Sequence, residues 1–399
     1  MQSFPTEFIW NACLHSLRIS FMTGNILRLM LTRWLSIIRW NNFPRVVDWK
    51  QMDNVGATLH TALFLVHLEE NVNIDTLYLI KKIIFTSFAD LILSDINSGT
   101  KSYIKKLDAK IFEELYSKAY EYFLELPGEE ILIRDMKDTL TRKDRPREDA
   151  IILAAKKYVG YFEASTNARV FPDIYEVPLA AMKAELKAFE AQLPSFSSLR
   201  NTPNFEKYLA HIYRLSSSMR WNQYNRTTPI SVMSHKVVVA YISYIIGMIG
   251  NAKGENNDIL EMLLRAIYHD VPEVITGDII TPTKKAVPGF VELLEQVESA
   301  MMDDYLFGYI SPEYTAFLSP YILHPFEWDI GKKVKYADIL SALIEAKVEQ
   351  AQGNAFFAEK YQVILEHVTH FEHPGVEYIL KEIFFSFDTK SDDSIKPSY

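Results

Sequence analysis

Apolar residues recur at helical spacing along most of the chain. Residues 237–247 (VVVAYISYIIG) are apolar on almost every side, which is typical of a buried helix. In residues 339–349 the apolar positions fall on one face of a helix. Strand-like alternation is nearly absent, and glycine (14 residues) and proline (17 residues) are sparse. The pattern therefore predicts an all-α protein.

A polar segment divides this pattern close to the middle of the 399 residues. Residues 193–204 (LPSFSSLRNTPN) combine two prolines with serine, asparagine and threonine, a composition typical of a linker. We therefore predict a helical domain over residues 1–192, a linker over 193–204 and a second helical domain over 205–389. Residues 390–399 (KSDDSIKPSY) predict a flexible, solvated tail.

The N-terminal residues 8–40 are apolar but carry four arginines. They therefore contain no run of about 18 uncharged apolar residues that would indicate a membrane span. They also lack the short apolar core and small-residue cleavage site of a signal peptide. We predict one or two amphipathic core helices here and no stable membrane insertion, with an interfacial membrane helix as the alternative.

The two halves of the chain share collinear patches of similarity, which indicate an internal repeat. Residues 33–45 align without gaps with residues 214–226 at a spacing of 181, with Arg-Trp-Asn in common. Residues 85–101 align with residues 268–284 at a spacing of 183, and a weaker third patch follows at 187. We therefore predict a tandem duplication of one helical bundle, with the two copies packed as a pseudo-dimer within the chain.

Composition and charge narrow the range of partners. The chain has 48% hydrophobic and 23% charged residues, as soluble globular proteins do. Its net charge of −9 disfavours nucleic acid and anionic membranes as partners. The single cysteine, Cys13, cannot form an internal disulfide, so we expect a cytoplasmic location. The oligomeric state stays open, and a homo-oligomer is an alternative to a monomer.

A set of histidines and aspartates in the second half is able to bind a divalent metal. His235 is followed by the adjacent pair His269 and Asp270, and then by Asp338. An adjacent His-Asp pair can direct both side chains to one point only where a helix ends irregularly or where a metal draws them together. Mixed nitrogen and oxygen ligands suit Mn, Co, Fe, Mg or Zn, each able to hold a water at an open position.

The sequence around this pair is more specific than the pair itself. Residues 266–284 (AIYHDVPEVITGDIITPTK) strongly resemble the HD-domain phosphohydrolases, and more narrowly the bacterial HD-domain 5′-deoxynucleotidases. An Arg-Trp and a Ser-His sequence lie upstream at the family's spacing, and Lys-Tyr-Ala-Asp (335–338) resembles its last metal-ligand motif. The resemblance covers about residues 208–368, the length of one HD domain.

The resemblance implies one divalent metal and two catalytic carboxylates. The implied metal ligands are His235, His269, Asp270 and Asp338. Glu273 would be the acid/base or the group that orients the attacking water, with a supporting contact to a ligand histidine as the alternative. Asp278 would lie near the sugar and the attacking water, with a helix-cap or turn role as the alternative. A metal in such a site lowers the pKa of its bound water toward neutrality.

The resemblance also implies a substrate pocket. Arg220 would bind the substrate phosphate, and Trp221 would pack near the nucleoside, with core packing as the equal alternative for the tryptophan. Thr276 and Lys284 would shape the pocket wall. A small nucleotide is therefore the expected partner.

The first half has lost the implied ligands. Thr86 and Ser87 stand where the second half has its His-Asp pair, and Ile151 stands at the position aligned with the last aspartate. Only His60 could take the place of the first ligand histidine. One imidazole cannot hold a divalent metal, so we predict a degenerate HD domain without catalytic activity. Whether this half binds a ligand or only maintains the fold stays open.

These observations predict a metal-dependent phosphohydrolase that removes phosphate from a nucleotide, with a 5′-deoxynucleoside monophosphate as the leading substrate. Two alternatives stay open. One is an HD hydrolase of nucleoside triphosphates or signalling nucleotides. The other is a nucleotide-sensing regulatory protein whose metal site is slow or silent.

Overall fold

The protein is represented by a computed structural model, which describes residues 21–69, 72–93, 96–277, 279, 283 and 286–388. Within these residues the chain forms helices joined by short turns, and β structure is limited to two isolated bridges. The prediction of an all-α protein is therefore confirmed. The predicted tail and the first 20 residues lie outside the described residues.

The first half is built from helices of 5 to 23 residues. They are α1 (Met22–Leu29), α2 (Gln51–His67), α3 (Thr76–Ser87), α4 (Ala89–Leu93), α5 (Ser98–Leu107), α6 (Ala109–Leu124), α7 (Glu130–Thr141), α8 (Pro146–Ala168) and α9 (Pro172–Gln192). A π-helical turn, Met30–Trp34, continues α1. Proline opens both α8 and α9, where its missing N–H costs no hydrogen bond.

The second half continues in the same way. Its helices are α10 (Pro194–Asn201), α11 (Pro203–Tyr213), α12 (Val232–Ala252), α13 (Ile259–Tyr268), α14 (Glu273–Thr276), α15 (Phe290–Tyr305), α16 (Pro312–Leu323), α17 (Trp328–Ala351), α18 (Phe356–Val368) and α19 (Pro374–Asp388). Short 3₁₀ turns follow α11 (Arg214–Ser216) and α15 (Phe307–Tyr309).

The predicted linker is helical over most of its length. Pro194 and Pro203, the two prolines that indicated a linker, are the first residues of α10 and α11. Proline suits this position because its fixed φ is already helical. Phe196 and Leu199 of α10 are fully buried, so the segment is part of the core. The domain boundaries at 192 and 205 stay predictions.

Helix α12 lies at the centre of the molecule. Every residue from Val232 to Gly247 is buried, as expected for a helix that is apolar on all sides. It packs against α2 from the first half and against α13, α17 and α19 from the second half. Both halves therefore share one continuous core. Among the described residues, α12 alone has the length and composition of a membrane span, but protein covers almost all of it.

Each half contains the same tight loop. An isolated antiparallel bridge joins Ile38 to Lys50 in one half and Met219 to Ser231 in the other. Each loop carries a tryptophan, Trp40 or Trp221, with a left-handed φ of 57° that bulky residues rarely adopt. Equivalent residues of the two loops are 181 positions apart, the spacing of the sequence alignment. The matched geometry supports the tandem duplication; the duplication and the pseudo-dimer stay predictions.

The position that matches His235 in the first half is occupied by Asn54, not by His60. The N–H of Asn54 donates to the carbonyl of Lys50 at 3.2 Å, as the N–H of His235 donates to that of Ser231 at 3.0 Å. Asn54 therefore lies in the first turn of α2 at the position that His235 has in the first turn of α12. His60 lies farther along α2, where its ring is buried and packs edge-on against an aromatic neighbour. No inserted residues are needed to align the two helices.

The position that matches Asp338 is occupied by Lys156, not by Ile151. Glu163 of α8 and Glu345 of α17 each face the arginine of their own tight loop, at 3.3 and 3.7 Å. These contacts give α8 and α17 a spacing of 182, which pairs Asp338 with Lys156. Ile151 is fully buried in the core. The sequence alignment of these helices was displaced because their shared apolar residues repeat every turn.

Candidate metal centre

Helix α12 carries His235 in its first turns. The side chain of Ser231 caps this helix by accepting the N–H of Ser234 at 2.9 Å. His235 is fully buried, and its Nδ1 lies 3.1 Å from both Ser341 Oγ and Glu345 Oε1. A carboxylate at Nδ1 favours the tautomer that keeps its proton there. The lone pair of Nε2 is then directed into the site.

The pair His269 and Asp270 stands where α13 ends. The N–H of His269 donates to the carbonyl of Arg265 at 2.9 Å and closes the last turn of the helix. Its Nδ1 lies 2.9 Å from the carbonyl oxygen of Ala266, so the Nδ1 proton is donated there and Nε2 keeps its lone pair. Asp270 follows in a turn, with Oδ2 at 3.1 Å from His269 Nε2. The adjacent pair therefore converges at an irregular helix end, one of the two arrangements expected from the sequence.

Three side chains form a compact set of possible ligands, which we call the donor set. One ligand atom from each of His235, His269 and Asp270 lies within 4.8 Å of the other two. His269 Nε2 and Asp270 Oδ2 are buried, and within the described part of the chain neither makes a hydrogen bond. Buried polar atoms without partners are costly. A divalent cation would satisfy both, so the donor set fits a metal.

Asp338 adjoins the donor set from α17. Its Oδ1 lies 3.1 Å from His235 Nε2, and its Oδ2 accepts Lys335 Nζ at 2.7 Å. Burial opposes ionisation of Asp338, but the charge of Lys335 and the contact with His235 lower its pKa well below the usual range. Burial also opposes ionisation of Asp270, and here the interaction with His269 lowers the pKa. Two ionised carboxylates beside two imidazoles make this centre attractive to a cation.

Arg220 and Trp221 belong to the tight loop beside the donor set. Arg220 Nη1 lies 3.7 Å from Asp270 Oδ2, and its Nε lies 3.7 Å from Glu345 Oε1. The indole N–H of Trp221 donates to Glu345 Oε2 at 2.7 Å, and the ring packs edge-on against Phe357. Trp221 therefore packs into the protein, as the core-packing alternative requires. Its contact with a nucleoside stays a prediction.

Glu345 and Glu349 are buried site residues that were not singled out from the sequence. They lie two and three turns after Asp338 on α17. Besides Trp221, Glu345 accepts Arg226 Nη1 at 3.1 Å, and Glu349 accepts the N–H of Thr227 at 2.8 Å. They hold the loop that carries Arg220. The available signal was a pair of carboxylates four residues apart on a helix face that is otherwise buried.

Charged neighbours shift the pKa values of Glu345 and His235. Burial opposes ionisation of Glu345, but the charge of Arg220 and the hydrogen bond with His235 lower its pKa below the usual range. For His235, burial and Arg220 lower the pKa, while Asp338 and Glu345 raise it overall. The carboxylates thus increase the basicity of the ring, which strengthens it as a metal ligand.

The remaining predicted site residues fall on α14 and on the segment after it. Glu273 is the first residue of α14, and its charge acts on both Arg220 and Lys236. The hydroxyl of Thr276 donates at 3.2 Å to the carbonyl of Pro272, the residue that precedes α14. Asp278 and Lys284 lie outside the described residues, so their roles stay predictions.

The resemblance to the HD-domain phosphohydrolases implies a helical fold that brings a His-Asp pair together with a second histidine and a second aspartate, and the structure shows this arrangement. Residues 207–387 match the family model described as 5′-deoxynucleotidase YfbR-like. The sequence resemblance to the HD-domain phosphohydrolases is therefore confirmed for residues 207–387.

Similar proteins match a little less than half of the chain. The 5′-deoxynucleotidase of Vibrio parahaemolyticus is 28% identical over 188 residues, which are 47% of this chain and 96% of that protein. The one from Photobacterium profundum is 27% identical over 188 residues, with the same coverage. The crystal structure of an HD-domain phosphohydrolase from Listeria innocua is 25% identical, covering 45% of this chain and 87% of its own, with a TM-score of 0.41.

Proposed function

We propose that this protein removes phosphate from a 5′-deoxynucleoside monophosphate, using a divalent metal held by His235, His269, Asp270 and Asp338. The compact donor set is the observation that carries the proposal. The similarity to proteins named 5′-deoxynucleotidase supports the substrate class. Two imidazole ligands favour Mn, Co, Fe or Zn over Mg. The expected cytoplasmic location and the small nucleotide partner belong to this proposal.

Arg220 is the proposed phosphate-binding residue. Its guanidinium lies 3.7 Å from Asp270, at the edge of the donor set, and its side chain is 14% exposed. Burial lowers the pKa of Arg220, but the charge of Glu345 raises it overall, so the guanidinium is charged. It can form two parallel hydrogen bonds to phosphate oxygens and stabilise the charge on them during transfer.

Glu273 is the proposed acid/base. It follows Asp270 by one turn and lies close enough to Arg220 for their charges to interact. A bound divalent cation would lower the pKa of a water and withdraw charge from the phosphoryl oxygens. Glu273 accepts the proton of the attacking water or protonates the leaving alkoxide. Asp278 beside the sugar, with Thr276 and Lys284 in the pocket wall, completes the proposed site.

The test is a substrate panel measured by phosphate release. Mono-, di- and triphosphates of deoxyribonucleosides and ribonucleosides are incubated with the purified chain and Mn, Co, Zn or Mg. We expect the fastest release from 5′-deoxynucleoside monophosphates. Faster hydrolysis of triphosphates would favour the first alternative, and binding without turnover under every metal would favour a sensor.

A matched pair of variants tests the metal centre itself. Loss of an outer-shell partner of a metal ligand costs about 10- to 100-fold, so Asp270→Asn should reduce phosphate release by more than about 100-fold. The control is Ser87→Ala at the aligned position of the first half, where the hydroxyl donates to the carbonyl of Ile83 in its own helix. Release that survives in Asp270→Asn would contradict the proposed centre.

A further inference from the structure

The first half holds a polar centre at the positions that match the metal centre. Asn54 Nδ2 donates to Glu163 Oε1 at 2.7 Å, and Arg39 Nε lies 3.3 Å from Glu163 Oε2. In the second half, the first ligand histidine and the arginine of the tight loop face Glu345 in the same way. The arginine and the buried glutamate are therefore kept, while the histidine is replaced by an amide.

A lysine ammonium stands where the second half gathers its ligands. The side chains of Asp75 and Asp258 cap α3 and α13 in the same manner, at 2.9 and 3.0 Å, which pairs Thr86 with His269. Lys156, at the position of the last ligand aspartate, donates to Thr86 Oγ1 at 3.1 Å. Two positions that supply metal ligands in one half are thus joined by an ammonium group in the other. We call the set Arg39, Asn54, Thr86, Asp90, Lys101, Lys156 and Glu163 the Lys156 centre.

Among the residues that the structure describes, no carboxylate pairs directly with the ammonium group of Lys156. Asp90 pairs with Lys101 at 3.3 Å, and Glu163 pairs with Arg39 at 3.3 Å. Of the three donors of the Lys156 ammonium, the described contacts occupy one, and that partner is a neutral hydroxyl. In the metal centre, two aspartates would cancel a divalent cation; here both aspartates are gone and one positive charge stays. The Lys156 centre is therefore suited to an anion.

The partial exposure of Arg39 and Lys101 and the desolvation of Lys156 also favour an anion site. The side chains of Arg39 and Lys101 are 26% and 29% exposed, so solvent reaches the centre. Burial lowers the pKa of Lys156 to about 8, with the charge of Asp90 opposing the shift. At neutral pH the ammonium is therefore mostly charged but poorly solvated, and a bound anion would relieve this cost.

We propose that the Lys156 centre binds the phosphate of a nucleotide without a metal and without hydrolysing it. The arginine that is assigned to the substrate phosphate in the second half has its counterpart in Arg39, and Lys156 replaces the metal as the second positive group. Asn54, Thr86 and Ser87 supply neither imidazole nor carboxylate, so these positions hold no metal that would activate a water. The ligand class rests on the proposed function of the second half.

Metal-free binding to the full chain tests this proposal. Deoxyadenosine 5′-monophosphate and inorganic phosphate are titrated calorimetrically in the presence of EDTA. We expect one equivalent to bind, and Lys156→Met to weaken binding at least tenfold because it removes a charge-assisted hydrogen bond. The matched control is Lys157→Met, whose ammonium points away to Glu185 at 2.6 Å and should bind like the wild type.

A second variant guards against loss of folding. Arg39→Gln, at a partly exposed position, should also weaken binding, and thermal unfolding of each variant reports whether the fold is kept. Unchanged binding in a folded Lys156→Met protein would overturn the inference. If the wild type hydrolyses nucleotides with a metal but binds no nucleotide in EDTA, the Lys156 centre is not a phosphate site, while the proposed function still holds. Metal-free binding that depends on Lys156, with no hydrolysis under any metal, would remove the proposed function alone.

Discussion

In both halves of the molecule an arginine faces a buried glutamate. In the second half, the proposed metal ligands lie beside this pair, and in the first half other side chains take their places. In the second half, Glu345 also supports a ligand histidine and Trp221. In the first half, Glu163 supports Asn54 instead. The arginine–glutamate pair and its tight loop can therefore persist without the metal, because an amide satisfies the same carboxylate. The proposed metal ligands can therefore change while the arginine–glutamate pair stays the same.

The loops show the same substitution of neutral for charged groups. Glu349 accepts the N–H of Thr227 at 2.8 Å, and its counterpart Asn167 accepts the N–H of Val46 at 2.8 Å. The backbone needs an acceptor at this point but does not need a charge. The shape of the tight loop therefore does not depend on the negative charge of Glu349, because the neutral Asn167 keeps the same backbone contact in the first half.

The largest effect on this comparison is expected at the buried glutamates. Glu345→Gln should reduce phosphate release by about 10- to 100-fold, because an amide cannot accept from both His235 and the indole of Trp221 as the carboxylate does. Steady-state kinetics over a range of metal concentrations measures the loss, which should include weaker metal binding.

The same change in the first half should act on a different property. Glu163→Gln removes the carboxylate that orients Arg39, and this loss of orientation should weaken phosphate binding in EDTA. If Glu163→Gln instead lowered metal-dependent phosphate release as strongly as Glu345→Gln does, the two centres would not be separate sites.

The sequence predicts the helical class, the metal ligands and the duplicated loop because each has a local signal. Apolar spacing indicates helices, and the motif around His269 names the residues that converge. The sequence does not predict the helices within residues 193–204, because proline is equally compatible with a loop and with the first turn of a helix. Only tertiary burial of Phe196 decides between them.

Glu345 and Lys156 could not be assigned in the same way. An acidic residue on a mostly apolar helix face is compatible with a solvated edge or with a buried partner, and the choice depends on which loop packs over it. The match between Lys156 and Asp338 follows only from the contact of Glu163 with Arg39, which fixes the alignment of α8 with α17. Residues whose roles depend on contacts 70 or more positions away carry no local signal.

A smaller difference between the halves is expected at the helix caps. Asp53 accepts hydrogen bonds from Ser231 and Ser234, and Ser234 is its counterpart at a spacing of 181. Burial raises the pKa of Asp53 to about 6, against the effect of these hydroxyls. Because the folded pKa exceeds the unfolded value near 4, the folded state binds the proton more tightly. Its stabilising contribution is full below about pH 4 and is lost as pH rises through about 6.

Asp53→Asn should therefore abolish this part of the pH dependence. The free energy of unfolding of the wild type, relative to Asp53→Asn, should fall by roughly 2 to 3 kcal/mol between pH 4 and pH 6.5. Urea unfolding at a series of pH values measures this difference. A difference that stays constant over that range would show that Asp53 titrates normally in the folded protein.

The smallest expected effect separates Trp40 and Trp221, the tryptophans of the two tight loops. Both have a φ of 57°, so replacing either by phenylalanine leaves the same backbone strain. The indole N–H of Trp221 donates to buried Glu345, whereas that of Trp40 is buried and, in the described part of the chain, has no hydrogen-bond partner. Trp221→Phe therefore loses a hydrogen bond to a charged group and some packing, while Trp40→Phe loses packing alone. The free energy of unfolding should fall more for Trp221→Phe, by about 1 to 2 kcal/mol. Equal losses in urea unfolding would mean that the support of the metal centre does not depend on this hydrogen bond.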